Sequence, residues 1–367
     1  MKKIFSLLCC SVFVSSAQHA SLLHPQETAR QELLTTLSGE WVSRSLYVAT
    51  KLGIADFLEE GPLSAVQLAE KSSSHPESLK RLLHLLSSHG IFEEISEGVF
   101  INTEASRLLI ASHPNSLHSL AIFYGEDIHR SFDNLLGSVQ TGTTTFELAF
   151  NQPVFSYFRS HPVNAALFQD AMKEKSRAVA LSVLSAYDFS RFSQIYDIGG
   201  GVGQFLSAIL TKSPHATGVL FELPEVIEKV KPMDRCSLTT GDFFTSVPTG
   251  GDVYLLKSIL HDWDDAKAKE ILRRCYEAMG PESKLLIIEV VLQPKSLSLF
   301  ANAMDLLMLA VTGGKERTAA SFTRLLQESG FELEAIYPTT TEFSILEAKS
   351  FEFFICFLLL CFSLSLN

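Results

Sequence analysis

The run "YDIGGGVGQFLSAILTKS", Tyr196 to Ser213, joins a short apolar stretch to a stretch of helical period through four glycines within five residues. A buried strand feeding a helix through a glycine turn is the opening unit of a parallel α/β sheet. Gly199, Gly200, Gly201 and Gly203 tolerate positive φ and let the backbone approach a ligand closely. The helix start behind them offers free N–H groups. By itself this turn suits NAD, FAD, a nucleotide or S-adenosyl-L-methionine (SAM). It is GGGxG rather than the GxGxxG of dinucleotide enzymes, which counts against an NAD-dependent oxidoreductase.

Downstream the same alternation repeats. "TGVLFEL" is followed by "PEVIEKV", "DVYLLKSIL" by "DDAKAKEILRRCYEAM", and "SKLLIIEVV" by a helical stretch over 300–330. "FELEAIYPT" and "TEFSILEAK" close the series. The expected fold is α/β, a doubly wound Rossmann-like sheet with ligands at the carboxyl ends of its strands.

Upstream the chain reads differently. Residues 28–60 have helical period, with Leu33, Leu37, Trp41, Ser45 and Val48 on one face. Ser64 is a candidate N-cap, and "HPESLKRLLHLLSSHG" a helix ending near Gly90. Two β runs, Ile91–Ile95 and Val99–Asn102, turn at Glu97-Gly98. Helices followed by a hairpin outline a winged helix. Residues 40–110 carry six Lys/Arg against ten Asp/Glu, and the whole chain has a formal net charge of −11. A DNA-reading winged helix would be basic, so a regulator and a nucleic-acid partner are both disfavoured. The module reads instead as a dimer contact. Residues 115–185 are helical and aromatic, suited to core packing or to lining an apolar pocket.

Of six cysteines only Cys236 and Cys275 lie in the body, in no metal-binding or disulfide pattern. The start, "MKKIFSLLCCSVFVSSA", has the layout of a secretory signal. A cytoplasmic location is expected, with export left open by that start. The end, "SFEFFICFLLLCFSLSLN", is shorter than the about 20 residues that span a bilayer. It reads as a packing segment or a misread gene end rather than an anchor. The expected divisions are a leader over 1–20, a winged-helix-like domain over 21–114, a helical connector over 115–185, an α/β cofactor-binding domain over 186–349 and a tail over 350–367.

Three further motifs fall at strand ends. Glu222, in "VLFELPEVI", lies about twenty residues past the glycines, where a carboxylate accepts from two ribose hydroxyls. Asp242 and Phe243, in "TTGDFF", pair an acid with an aromatic, a combination suited to an adenine. "LKSILHDWDD" places His261 just before a helix whose first turn holds Asp264 and Asp265, acids that complement its positive end.

In this order and spacing, "DIGGGVG", "FELPEVI", "GDFF" and "LKSILHDWDD" resemble the SAM-dependent O-methyltransferases of the caffeate and acetylserotonin type. The resemblance runs from about Glu27 to Lys349 and strengthens at "MDLLMLAVTGGKERTAASFTRLLQESGF". Glu222 departs from it, since the family usually has Asp there. The resemblance implies a seven-stranded methyltransferase domain, an N-terminal dimerisation domain, a homodimer and no metal. It implies SAM contacts at Gly199, Gly201, Glu222, Asp242, Phe243 and Lys257. His261 matches the catalytic base, and Glu289 and Glu316 match two carboxylates flanking it. Phe168, Met172, Met304 and Met308 match positions that hold the acceptor.

The chemistry fits. A phenol with pKa near 10 stays protonated at neutral pH, and a neutral imidazole can take its proton as the methyl arrives. A carboxylate on the other ring nitrogen fixes the tautomer, and Glu289, ending a neighbouring strand, is expected within reach. The expected reaction is methyl transfer from SAM to a hydroxyl of a small aromatic or polycyclic acceptor. N-methylation, or a non-methylating SAM reaction such as decarboxylation or hydroxylation, is the alternative.

Overall fold

The computed structural model describes residues 25–293, 295 and 298–351. The signal-like leader and the apolar tail from residue 352 onward lie outside the described residues. The chain divides into two compact units between Ser106 and Arg107.

The first unit opens with α1 (Pro25–Leu37), α2 (Gly39–Lys51) and α3 (Ile54–Phe57), so the long helical stretch is three helices. Gly53, at φ 67°, forms the joint before α3. β1 (Leu63–Ser64) leads into α4 (Ala65–Ser72), where Ser64 and Gln67 form a reciprocal capping box. α5 (Pro76–Ser88) is followed by β2 (Phe92–Ser96) and β3 (Val99–Asn102). The three strands pair in the order β1-β3-β2, the hairpin expected from Glu97-Gly98. Leu68, Leu79, Leu83, Leu86, Phe92 and Phe100 fill the interior. Leu33, Leu37 and Trp41, four residues apart, stay exposed.

α6 (Glu104–Arg107) spans the division. The second unit continues with α7 (His118–Phe123), a π-helical turn (Tyr124–Ile128), α8 (His129–Phe132), α9 (Leu135–Thr141), α10 (Thr145–Phe150), α11 (Val154–Ser160) and the long α12 (Pro162–Ala186). Phe123, Phe146, Tyr157 and Phe158 pack together as an aromatic cluster.

The remainder is β4 (Gln194–Ile198), α13 (Gln204–Lys212), β5 (Thr217–Glu222), α14 (Pro224–Ile227), β6 (Cys236–Thr240), β7 (Val253–Lys257), α15 (Asp265–Ala278), β8 (Lys284–Leu292), α16 (Leu299–Val311), β9 (Arg317–Thr318), α17 (Ala319–Gln327), β10 (Phe331–Pro338) and β11 (Phe343–Ser350). Two sequence expectations need correction. "PEVIEKV" gives only the single turn of α14, and the stretch 300–330 is two helices separated by β9. Thr312, Gly313 and Gly314 carry the chain out of α16, so the break sits at the glycines.

Seven strands lie in the order β6-β5-β4-β7-β8-β11-β10, with β9 beside β8. β4 to β8 are parallel, and β10 and β11 antiparallel. Successive strand residues face opposite sides of a sheet. Tyr254, Leu256, Leu285 and Ile287 therefore pack under α15 and α17, while Val253, Leu255, Leu286 and Ile288 pack under α12 and α13. Both faces are covered, which makes the sheet doubly wound. From β4 the chain builds outward through β5 and β6, then returns to lay β7 on β4's other side. That reversal between β4 and β7 opens the crevice where such sheets bind ligands.

Candidate active site

The turn after β4 shows why glycine is needed there. Gly199 has φ 70°, and a Cβ on it would lie 2.6 Å from Ile259 Cδ1. A Cβ on Gly200 would lie 2.5 Å from Asp197 Oδ2. Gly203, at φ 78°, is the N-cap of α13.

Glu222 ends β5, and its Oε2 accepts the N–H of Leu223 at 2.7 Å. Burial pushes this carboxyl up to about 7, and Asp197, Glu225 and Asp242 add to the rise. Asp242 follows β6 and accepts the N–H of Phe244 at 2.8 Å. Lys257 ends β7, where burial pulls its ammonium down to about 8 against the attraction of Asp197. Asp197 is fully buried, raised by burial to about 6, with Lys257 opposing.

Past β7 the chain turns through Ser258, at φ 55°, into a 3₁₀ turn (Leu260–Asp262). Glu289 Oε1 accepts the backbone N–H groups of Ile259, Leu260 and His261 at 3.1, 2.6 and 3.2 Å. Glu289 was expected to hold the imidazole, but it holds the backbone that presents it. Glu316 takes the ring instead, with its Oε1 2.9 Å from His261 Nδ1. Both side chains are buried. Burial lowers the His261 pKa and lifts Glu316 to about 8, and Lys175 and Arg317 pull Glu316 back.

The run "GGKERT" is built around that contact. A Cβ on Gly314 would lie 1.9 Å from the His261 carbonyl oxygen, so only glycine lets the loop pass. Lys315 N–H donates to that oxygen at 2.9 Å. Glu316 N–H donates to Asp305 at 2.8 Å. Arg317 donates to the carbonyls of Leu260 and Trp263 at 2.7 and 2.9 Å and pairs with Asp265. Asp264 caps α15 through the N–H of Lys267 at 2.9 Å, the helix-start role expected of it.

One cavity of about 820 Å³ joins these parts. Gly199, Gly201, Glu222, Asp242, Phe243, Lys257 and His261 line it, and so do Phe168, Met172, Met304 and Met308. Phe168 stacks on Phe158 with ring centroids 4.6 Å apart, giving the wall a flat aromatic surface. The glycine turn and the unshared oxygens of Glu222 and Asp242 fit a SAM-sized group.

His261, Glu289 and Glu316 also bring potential metal-ligand atoms within 4.8 Å of one another. Glu289 Oε1 is already filled by three N–H groups, and Nδ1 and Glu316 Oε1 bond each other, while Glu289 Oε2 and Glu316 Oε2 are buried without a hydrogen-bond partner.

Two cavity residues escaped the sequence reading. Asp262 lies with Oδ1 3.8 Å from His261 Nε2, and burial raises its carboxyl to about 6. Lys175 lies inside the charged run "KEKS", which reads as a solvated face. The available signal was spacing, since Phe168, Met172 and Lys175 recur at four and three residues on one helical face.

Two family models match the chain, the O-methyltransferase domain over residues 132–332 and the O-methyltransferase dimerisation domain over residues 34–112. A phenazine O-methyltransferase from Lysobacter antibioticus is 43% identical over 86% of this chain and 95% of its own length. An 8-amino-8-demethylriboflavin N,N-dimethyltransferase from Streptomyces davaonensis is 34% identical over 89% of this chain and 97% of its own. The crystal structure of human N-acetylserotonin methyltransferase in complex with SAM superposes with a TM-score of 0.83. It is 28% identical over 90% of this chain and 99% of the human one.

Proposed function

This chain belongs to the SAM-dependent O-methyltransferase family, and from that premise we propose how its residues carry the reaction. The enzyme transfers a methyl group from SAM to a hydroxyl of a small aromatic or polycyclic acceptor. SAM supplies the methyl as an electrophile on a sulfonium. The glycines at 199 and 201 with Glu222, Asp242, Phe243 and Lys257 hold the cofactor. Phe168, Met172, Met304 and Met308 hold the acceptor.

The observation that carries the reading is the 2.9 Å contact between His261 Nδ1 and Glu316 Oε1. With Glu316 ionised, Nδ1 keeps its hydrogen and Nε2 keeps a lone pair toward the cavity. Nε2 then takes the acceptor's hydroxyl proton. Glu316 stabilises the resulting imidazolium, and Glu289 fixes the turn that aims the ring. The test is incubation with methyl-labelled SAM and a panel of phenols, hydroxynaphthalenes and hydroxyphenazines. Label should appear on oxygen, and His261→Ala should lower turnover by roughly 10²–10⁴. The riboflavin relative's name supports N-methylation as a second reading. Label confined to amines, with matched phenols untouched, would favour it.

The dimerisation domain supports a homodimer. Leu33, Leu37 and Trp41 form an exposed apolar stripe on α1 and α2, suited to burial against a second copy. Trp41→Glu should shift the mass by light scattering from dimer to monomer. No helix among the described residues is long and apolar enough to cross a membrane. A cytoplasmic location matches the use of SAM, and cell fractionation tests it.

A further inference from the structure

Lys175 stands on α12 three residues after Met172 and seven after Phe168, and all three line the cavity. An ammonium has three donors and no acceptor. Among the described residues none of those donors is used in a hydrogen bond or ion pair. The nearest ring, Phe343, has its centroid 5.8 Å from Nζ, at the outer limit of a cation–π contact. Glu316, Asp262 and Glu289 are close enough for their charges to act on it, and its own charge acts on His261 and Lys257. None of the three bonds it, although Glu316 Oε2 and Glu289 Oε2 are themselves buried without a hydrogen-bond partner. Glu316 Oε1 serves the imidazole and Glu289 Oε1 serves three backbone N–H groups. An unsatisfied cation half-buried in the cavity wall beside the base is costly without a ligand.

We propose that Lys175 reads the acceptor: the acceptor carries an anionic oxygen, such as a ring carboxylate, next to the hydroxyl that is methylated, and Lys175 binds that oxygen. The inference rests on the methyltransferase reading and narrows its substrate class to acidic hydroxyarenes. Lys175 and His261 act within one patch of the cavity, so a single ring can present a carboxylate to one and a hydroxyl to the other. Neutral phenols of the same shape leave the ammonium unpaired and bind more weakly. Burial lowers the Lys175 pKa while Glu316, Asp262 and Glu289 raise it, so the acid preference fades as alkaline pH discharges the lysine.

The test uses matched pairs, 1-hydroxy-2-naphthoate against 1-hydroxy-2-naphthamide and salicylate against salicylamide. They are titrated calorimetrically into the full-length protein saturated with S-adenosylhomocysteine. The acid should bind about tenfold more tightly than the amide, as a charged hydrogen bond provides. Lys175→Met should bring that ratio close to one by weakening the acid alone, and Lys175→Arg should retain most of it. A wild-type ratio near one in both pairs overturns the proposal, as does a ratio that survives Lys175→Met. A fall in S-adenosylhomocysteine affinity with Lys175→Met also overturns it, by assigning the ammonium to the cofactor's carboxylate. Methyl transfer is measured separately. Acid preference without any transfer from SAM would sink the methyltransferase reading and leave the binding role standing.

Discussion

His261 Nδ1 and Glu316 Oε1 lie 2.9 Å apart with both side chains buried, so one proton on that line decides what the other ring nitrogen can do. If Glu316 is ionised, Nδ1 donates and Nε2 is a base. If Glu316 is protonated, it donates to Nδ1, and Nε2 carries a hydrogen and cannot accept one. Burial holds this carboxyl up to about 8; Lys175 opposes the shift, Asp305 adds to it, and Arg317 opposes it.

The sign of the pH dependence follows. Turnover should rise with pH through about 8 and then level off, because the active form is the ionised carboxylate. Burial lowers the His261 pKa, so the ring itself stays neutral across that window. In Glu316→Gln the amide oxygen accepts from Nδ1 at every pH. The rise near 8 should vanish, leaving a pH-independent rate about 10- to 100-fold below the wild-type plateau, since the imidazolium loses its counter-charge. Rate profiles with an acceptor whose hydroxyl pKa lies well above the window decide the matter. An unchanged rise in the variant would assign it to another group.

Glu289 should act on stability as much as on rate. Its Oε1 satisfies three buried N–H groups, and Glu289→Ala strands them all. We expect a loss of roughly 2–4 kcal/mol, from leaving buried donors without an acceptor. Urea unfolding measures it. A midpoint equal to wild type would mean that the turn holds itself.

The sheet was legible because its pattern is local. β7 is apolar up to Lys257 and β8 is apolar from Leu285 to Leu292 but for Glu289, and Gly199 to Gly203 mark the turn whose backbone geometry requires them. His261 was legible through its place after a strand and before the Asp264 cap. The division of labour between Glu289 and Glu316 was not. It depends on Ser258 taking a positive φ, which swings three N–H groups onto Glu289 and leaves the ring to a loop 55 residues later. Lys175 was hidden for a similar reason: a lysine among charged neighbours looks solvated until the helix is seated against the cavity.

Glu222 should make cofactor affinity depend on pH. Burial raises it to about 7, and only its ionised form accepts from two ribose hydroxyls without giving up an acceptor site to its own proton. SAM affinity should therefore grow as pH rises through 7. Glu222→Ala should weaken binding by roughly 1–3 kcal/mol on the alkaline side and remove the pH dependence. Calorimetric titration at several pH values reads both effects. Unchanged affinity in a folded variant would take Glu222 out of the cofactor site.

Gly314→Ala tests whether the loop between α16 and β9 positions the base. The added Cβ would sit 1.9 Å from the His261 carbonyl oxygen and 2.6 Å from the Asp262 carbonyl carbon, both backbone atoms. Rotating a side chain cannot relieve such a contact, so the loop or the 3₁₀ turn must move. Either movement stretches the Lys315 N–H bond to His261 and draws Glu316 away from Nδ1. A displacement on the order of 1 Å at a reacting group costs about a hundredfold in rate. Turnover should fall by about that factor, and the pH rise near 8 should flatten as in Glu316→Gln, because the imidazole no longer senses that carboxyl. Apart from Lys257, which precedes the turn, the cofactor residues stand at other strand ends, so S-adenosylhomocysteine affinity should stay within about twofold, well under the tenfold that 1.4 kcal/mol represents. The combination separates misplacement from unfolding. A variant that loses cofactor affinity and turnover together has lost its fold, whereas one with wild-type turnover and pH profile would show that the loop yields without disturbing His261.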